Sequence, residues 1–410
     1  MMAVVARVLI VLPSASYRVA DFVEAANTLR VEAVIATDAA QVMTKQKAER
    51  LVRIDARRPE WSAARIVEFA ARFPLDAVVA ADDDGVVMAA VAAHELGLPY
   101  NPAEAVRATR DKATLRGIFA DAALPQPAYR VIGAGDDPVA ACAAVGFPCV
   151  LKPVSLAASR GVIRVDDLAA VADAVAWIRA ITAEAGRDPG EPLLTEAFVP
   201  GTEVALEGLL VDGGLQVLAL FDKPDPMNGP YFEETILVTP SRLDHGVQDE
   251  IVTFGAAAAA ALGLVQGPIH AEARVDGDRV SLLEVAARSI GGLCGRSLRF
   301  GLLGTSLETT LLRSALGYRG PPAKPQSPAS GVMMLPIART GTLSAVSGRE
   351  RALAVPGIVD LELTIPIGSH VRPPPEADRY LGFIFARGTT PQAVENSLRQ
   401  AHAELIIDIR

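Results

Sequence analysis

Cysteine is scarce in this chain, with three in 410 residues. Cys142, Cys149 and Cys294 show neither metal-ligand spacing nor a disulfide framework. That excludes a disulfide-stapled secreted scaffold and a structural zinc site, and it fits a reducing compartment. Aromatic residues are also few, at 5%. Half of the residues are nonetheless hydrophobic, so alanine and valine carry much of the apolar content, as in α/β proteins with buried parallel strands. Long apolar runs are missing. The opening run Val8 to Leu12 and the alanine-rich run Ala256 to Leu262 are both too short to span a bilayer, and no A-x-A-like cleavage site follows the first. The expectation is a cytoplasmic protein with no membrane partner. Positive charge is in deficit, with a net charge of −9, which argues against a general nucleic-acid binder but leaves room for a local basic pocket. Four catalytic signatures are absent as well: G-x-x-x-x-G-K-[ST], H-E-x-x-H, G-x-S-x-G and G-x-G-x-x-G.

A chain of this length exceeds one ordinary core, and roughly two to four domains are expected. Residues 7–12, 31–37 and 76–82 read as buried strands separated by amphipathic helices, the pattern of a parallel sheet covered on both faces. A helix is expected over about 109–122. FPCVLKPV (147–154) and GVIRVDD (161–167) read as strands joined by a loop of small residues, and a helix follows at 168–185. Longer strands after Pro189-Gly190 read as an antiparallel sheet, with Asp212-Gly213-Gly214 as a hairpin turn. The proline-rich segment 314–330 is the clearest linker. Beyond it, 331–410 mixes short strands and turns and ends in a helix (391–402) and a strand.

The chemistry concentrates between His270 and Arg288, HAEARVDGDRVSLLEVAAR. Two alternating segments flank Val275-Asp276-Gly277-Asp278, a strong hairpin signal, so Glu272 and Glu284 fall on paired strands. Two carboxylates aimed at one point suit a hard divalent cation, and a nearby guanidinium, Arg288, suits a carboxylate or phosphoryl group. The competing interpretation is a solvated hairpin. It weakens because Glu284 lies in an apolar run, Val-Ser-Leu-Leu-Glu-Val, where a carboxylate needs a partner. Upstream, Lys112 and Lys152 flank a loop, 155–161, whose Ser155, Ser159 and Gly161 make it small enough to lay backbone N–H groups over phosphates. Glu196-Ala-Phe-Val-Pro-Gly-Thr-Glu203 places two carboxylates around a turn, with Phe198 and Val199 as apolar contacts. His270 shares a strand face with Glu272. The run Asp82-Asp83-Asp84 is best explained as capping the helix that follows.

Taken in order, Asp111-Lys112, Leu151-Lys152-Pro153, Glu196-x6-Glu203, Glu272-x11-Glu284 and Glu284-x3-Arg288 resemble the ATP-grasp superfamily. Segment 221–241 is similar to its carboxylate–amine ligase branch, the L-amino acid ligases and dipeptide synthetases. The resemblance implies an α/β (α+β) fold: an N-terminal Rossmann-like domain (1–108), a two-lobed ATP-grasp domain (109–318, lobes about 109–188 and 189–318) and a C-terminal α+β lid (331–410). It implies ATP held by Lys112, Lys152, Ser159 and Gly161, with Glu196, Phe198 and Val199 at the adenine and Glu203 at the ribose. Glu272 and Glu284 become ligands of Mg²⁺, for which Mn²⁺ is able to substitute. Glu233 or Glu234, with His270, Gly291 and Gly292, would face the substrates, and Arg288 would stabilise the oxyanion of acyl transfer.

The partners implied are a small-molecule carboxylate and amine, with a homodimer compatible. One position departs: many members carry Asn where this chain has Ala286, which leaves a second metal open. Two rivals remain at this point. One is a bicarbonate-using carboxylase of the biotin or purine-precursor type, and the other a decayed nucleotide-binding regulator.

Overall fold

The structure is a computed structural model, and it describes residues 5–14, 16–38, 50–299, 304–318 and 329–410. Consecutive apolar residues suit a strand covered on both faces, and Arg7–Val11 is such a strand, buried from Val8 onward. It is central to a four-stranded parallel sheet in the order Leu51–Arg53, Glu32–Thr37, Arg7–Val11, Ala77–Ala80. Helices Val19–Leu29, Pro59–Arg72 and Asp83–Glu95 connect or follow these strands. The three expected strands are present. The short strand Leu51–Arg53, too brief to show a pattern, was not anticipated.

A second four-stranded sheet is antiparallel, ordered Tyr129–Ile132, Leu193–Ala197, Cys149–Pro153, Ile163–Val165. Helices Pro138–Val145 and Val171–Glu184 share its core through Cys142, Val171 and Ile178. The 155–161 loop joins Cys149–Pro153 to Ile163–Val165.

The largest sheet has eight strands, all paired antiparallel. It starts with the hairpin Arg279–Ala286 and Gly267–Asp276, continues through Thr202–Val211, Gly214–Asp222 and Ile236–Thr239, and then crosses to Ala329–Met334, Gly382–Gly388 and Ile358–Leu363. Both expected hairpins form. Asp212 and Gly213 each take positive φ in the first, the two-residue geometry that matches strand twist. In the second, Asp276 pairs with Arg279, so the loop residues are Gly277 and Asp278 rather than the Asp-Gly pair, with Gly277 at φ +60°. A three-stranded sheet of His370–Val371, Gly341–Ser347 and Ile406–Ile409 and the helix Pro391–Ala403 complete the C-terminal part. Of the expected linker, 319–328 lies outside the described residues, and 307–315 is already helical. Among the described residues, no helix is long and apolar enough to cross a membrane.

Candidate functional site

The parallel sheet, the four-stranded antiparallel sheet and the eight-stranded sheet, with the loops at their ends, contribute to a cavity of about 370 Å³. Every sequence-predicted site residue except Gly161 lines it. Lys112 opens the helix Lys112–Asp121, whose first turn is capped by Asp111 accepting from the Thr114 N–H. Its ammonium donates to the Leu156 carbonyl at 2.5 Å and stands 3.7 Å from Glu284. Lys152 is buried on its strand, 2.5 Å from Glu196. Burial lowers its pKa, against the pull of Glu196.

Glu196 departs from its expected part. Its carboxylate is clamped between Lys152 and Arg116, the latter at 2.6 Å, and is itself buried. Burial alone would raise its pKa, but Arg116 and then Lys152 outweigh it and bring the value to about 2. Arg116, which sequence reasoning missed, also donates to the Leu282 and Leu283 carbonyls and so fastens this strand to the 270–286 hairpin.

The 155–161 loop is strongly bent, with Ala158, Ser159 and Gly161 all at positive φ. The sequence reading gave Gly161 to the phosphates. Its N–H instead donates to the Pro375 carbonyl at 2.9 Å, and a Cβ there would meet Pro153 at 3.2 Å. Ser155 turns away to Glu191. Ala157, Ala158 and Ser159 are the loop's tip at the cavity. Phe198 receives the Arg164 and Arg274 guanidinia over its ring, at 4.4 and 5.1 Å. The hinge backbone is partly engaged: the Phe198 N–H donates to Pro148, and the Val199 carbonyl accepts from Arg274.

The densest cluster centres on Lys223, which sequence reasoning also missed. Its buried ammonium meets Glu203 at 2.7 Å, Glu272 at 2.9 Å and Glu234. The ligand atoms of these three carboxylates lie within 4.8 Å of one another. Burial works against the lysine's charge, but the three glutamates hold its pKa well above the usual value. Glu272 and Glu284 are direct cross-strand partners, with an irregularity following Glu272. Glu284 nevertheless stays outside the cluster, on the Lys112 side, and is half-buried rather than buried as its apolar run suggested.

His270 lies between Glu207 (3.2 Å) and Glu272 (3.3 Å). Burial would lower its pKa, but hydrogen bonds donated to these two carboxylates raise it to about 9. A doubly bonded imidazolium has no free lone pair, so His270 serves here to hold two glutamates. Glu207 in turn accepts the Ile290 N–H at 2.9 Å, which fixes the start of the Ile290–Gly292 loop. Gly292 has φ +59°, and a Cβ there would meet the Phe383 ring at 2.9 Å. Arg288 donates through Nε to Asp83 at 2.9 Å, and Asp83 also binds Arg110 at 2.9 Å. The acidic run was expected as a helix cap. Asp82 occupies the cap position but makes no side-chain capping bond, and Asp83 is instead drawn into the site by two guanidinia.

Comparison with known proteins adds three domain matches: an ATP-grasp N-terminal domain over residues 23–100, an ATP-grasp domain over 145–297, and an L-amino acid ligase C-terminal domain 2 over 333–410. The alanine–anticapsin ligase of Bacillus subtilis is 30% identical over 250 residues, covering 55% of this chain and 51% of that protein. Carnosine synthase 1 of Gallus gallus is 31% identical over 320 residues, covering 72% of this chain and 34% of its own. The chain thus spans about half the length, or less, of these curated relatives. The crystal structure of an L-amino acid ligase from Bacillus licheniformis superposes with a TM-score of 0.83 at 24% identity, covering 99% of both chains.

Proposed function

Because the chain belongs to the ATP-grasp superfamily, we propose that it is an ATP-dependent ligase joining a carboxylate to an amine, on amino-acid-like substrates, through an acyl phosphate. The observation that carries this reading is the convergence on one cavity of two lysines (Lys112 and Lys152), a carboxylate nest and a buried-edge arginine, Arg288. The names of the similar proteins, two amino-acid-using ligases among them, support it. In this reading residues 1–108, 109–318 and 331–410 act as three domains around the cavity.

Lys112, Lys152 and the 157–159 tip of the loop bind the polyphosphate, where fixed positive charge offsets the charge that moves during phosphoryl transfer. Phe198 and Val199 flank the base, and Glu203 faces the ribose. The donor set fits Mg²⁺, since Glu272 and Glu284 offer hard oxygens on paired strands. Held by these two carboxylates, the ion would supply positive charge that offsets the negative charge of the phosphates. Lys223 keeps Glu203, Glu234 and Glu272 together as a preorganised group, a positive charge already built into the site.

Transfer of the γ-phosphoryl to the substrate carboxylate makes the acyl phosphate. The amine attacks its carbonyl, and Arg288 with the Gly291 and Gly292 N–H groups stabilises the oxyanion before phosphate leaves. Asp83 and Glu207 hold Arg288 and the loop in position. Closure of the 155–161 loop over the nucleotide excludes water, which would otherwise hydrolyse the acyl phosphate.

The direct test is phosphate release from ATP with Mg²⁺ and amino acids, supplied singly and in pairs. Release that requires two amino acids, with a dipeptide recovered, supports the reading. Release driven by bicarbonate without any amino acid would overturn it.

A further inference from the structure

Of the carboxylates that line the cavity, Asp82 and Glu233 make no ion pair among the described residues. Asp82 still lies close enough to the buried Arg18 to strengthen that guanidinium's hold on its proton. Among the described residues, Glu233 has no such neighbour. Its carboxylate accepts one long hydrogen bond, 3.4 Å, from the Ile337 N–H. Its sequence neighbour Glu234 is in contrast saturated by Lys223, and Arg379, a cavity-lining cation near the same wall, is spent on Asp378 at 3.1 Å.

The surroundings of Glu233 suit a ligand with an apolar stem and a charged head. Phe232 and Met334 are buried beside the cavity and line it with Leu237 and Tyr380. Burial and Glu234 raise the Tyr380 hydroxyl well above its usual pKa, and Glu233 adds to the rise, so the two groups share one region. Burial likewise raises the Glu233 carboxyl, and the long hydrogen bond from the Ile337 N–H offsets only part of that rise. A partly desolvated carboxylate of this kind is costly unless a cation arrives to meet it.

We propose that the cavity takes a substrate with a positively charged side chain, of the lysine or arginine kind, and that Glu233 is the residue that selects it. The assignment rests on the ligase reading for which reaction the substrate enters, but not for where its charge is held. The cationic head meets Glu233 in a charge-assisted hydrogen bond, the methylenes lie along Met334 and Leu237, and the Tyr380 ring closes one side.

The test compares lysine with norleucine and arginine with citrulline, pairs that differ in side-chain charge more than in size. Each is supplied with ATP, Mg²⁺ and a panel of second amino acids to the native chain and to Glu233→Gln. A charge-assisted bond of this kind predicts a preference of about ten-fold or more in kcat/KM for the cationic member, falling to within about two-fold in the variant. Equal use of both members by the native chain overturns the assignment. So does a Glu233→Gln variant that loses both members equally, since the carboxylate would then be meeting the common α-ammonium. Calorimetric titration of lysine and norleucine, in the presence of a non-hydrolysable ATP analogue, reads the same preference without turnover. Preference in binding without any ligation would leave Glu233 in place and sink the ligase reading. Ligation without preference would do the reverse.

Discussion

Asp83 and Arg288 are 205 residues apart in the chain and meet at 2.9 Å at the edge of the cavity. The contact ties the first parallel sheet, at the start of helix Asp83–Glu95, to the residue assigned to the oxyanion. Arg110 holds the other side of the same carboxylate. Asp83→Asn keeps the shape and removes the charge, so Arg288 loses its alignment. A displacement on the order of 1 Å near reacting atoms costs about 10²-fold. Turnover in the phosphate-release assay is expected to fall by about that factor while ATP binding persists. An unchanged kcat would detach Arg288's placement from this pair.

Arg288 itself can be removed. Loss of one oxyanion donor costs about 10²–10³ in rate, and Arg288→Ala is expected to lose at least that much with nucleotide affinity kept. Near-normal turnover in this variant would remove Arg288 from the chemical step.

Lys223 answers a different question. Without it, Glu203, Glu234 and Glu272 would face one another with no cation between them. Breaking a buried pair from one side costs roughly 3–5 kcal/mol, and residual solvent access to Glu234 and Glu272 places the expected loss toward the lower end. Lys223→Met should therefore melt well below the native chain, and millimolar Mg²⁺ or Mn²⁺ should restore part of the difference by entering the vacated nest. A melting temperature indifferent to divalent ions would mean that the three carboxylates cannot hold one.

Acid stability follows from Glu196. Its folded pKa of about 2 lies below the ordinary 4.5, chiefly because Arg116 and Lys152 outweigh burial. A depressed carboxylate contributes stability that is fully present above the unfolded value and is lost as pH falls through the folded one. The window is therefore about pH 4.5 down to about 2, and the shift corresponds to roughly 3 kcal/mol as an order of magnitude. Glu196→Gln should flatten the dependence of unfolding free energy on pH in that window. An equal slope in both proteins would assign the acid sensitivity elsewhere.

The parts of this architecture that follow local rules were legible in the sequence. The buried run of Arg7–Val11, the two hairpins and the strand face shared by His270 and Glu272 depend on neighbours within a few residues. What stayed hidden was non-local. Arg116 reads as an ordinary helix-face charge, and only folding brings it to Glu196, 80 residues on. Lys223 sits after a strand with nothing nearby to mark it, and its partner Glu272 is 49 residues away. The Gly161 misassignment has the same origin: a glycine in a small-residue loop advertises a free N–H, but Pro375 takes it. Glu284 was misjudged in burial because an apolar run can still lie on a strand at the sheet's edge, where alternate residues see solvent.

The eight-stranded sheet passes without a break from Ile236–Thr239 to Ala329–Met334. Cutting the chain before Ala329 would strip Ile236–Thr239 of its neighbour and expose a row of unpaired backbone donors and acceptors on a strand that is apolar and fully covered in the intact protein. Such a raw edge recruits strands from other molecules. A shortened version lacking the last strands would thus be prone to clump as it emerges, and any attempt to graft a different C-terminal segment must supply a replacement strand in the same register.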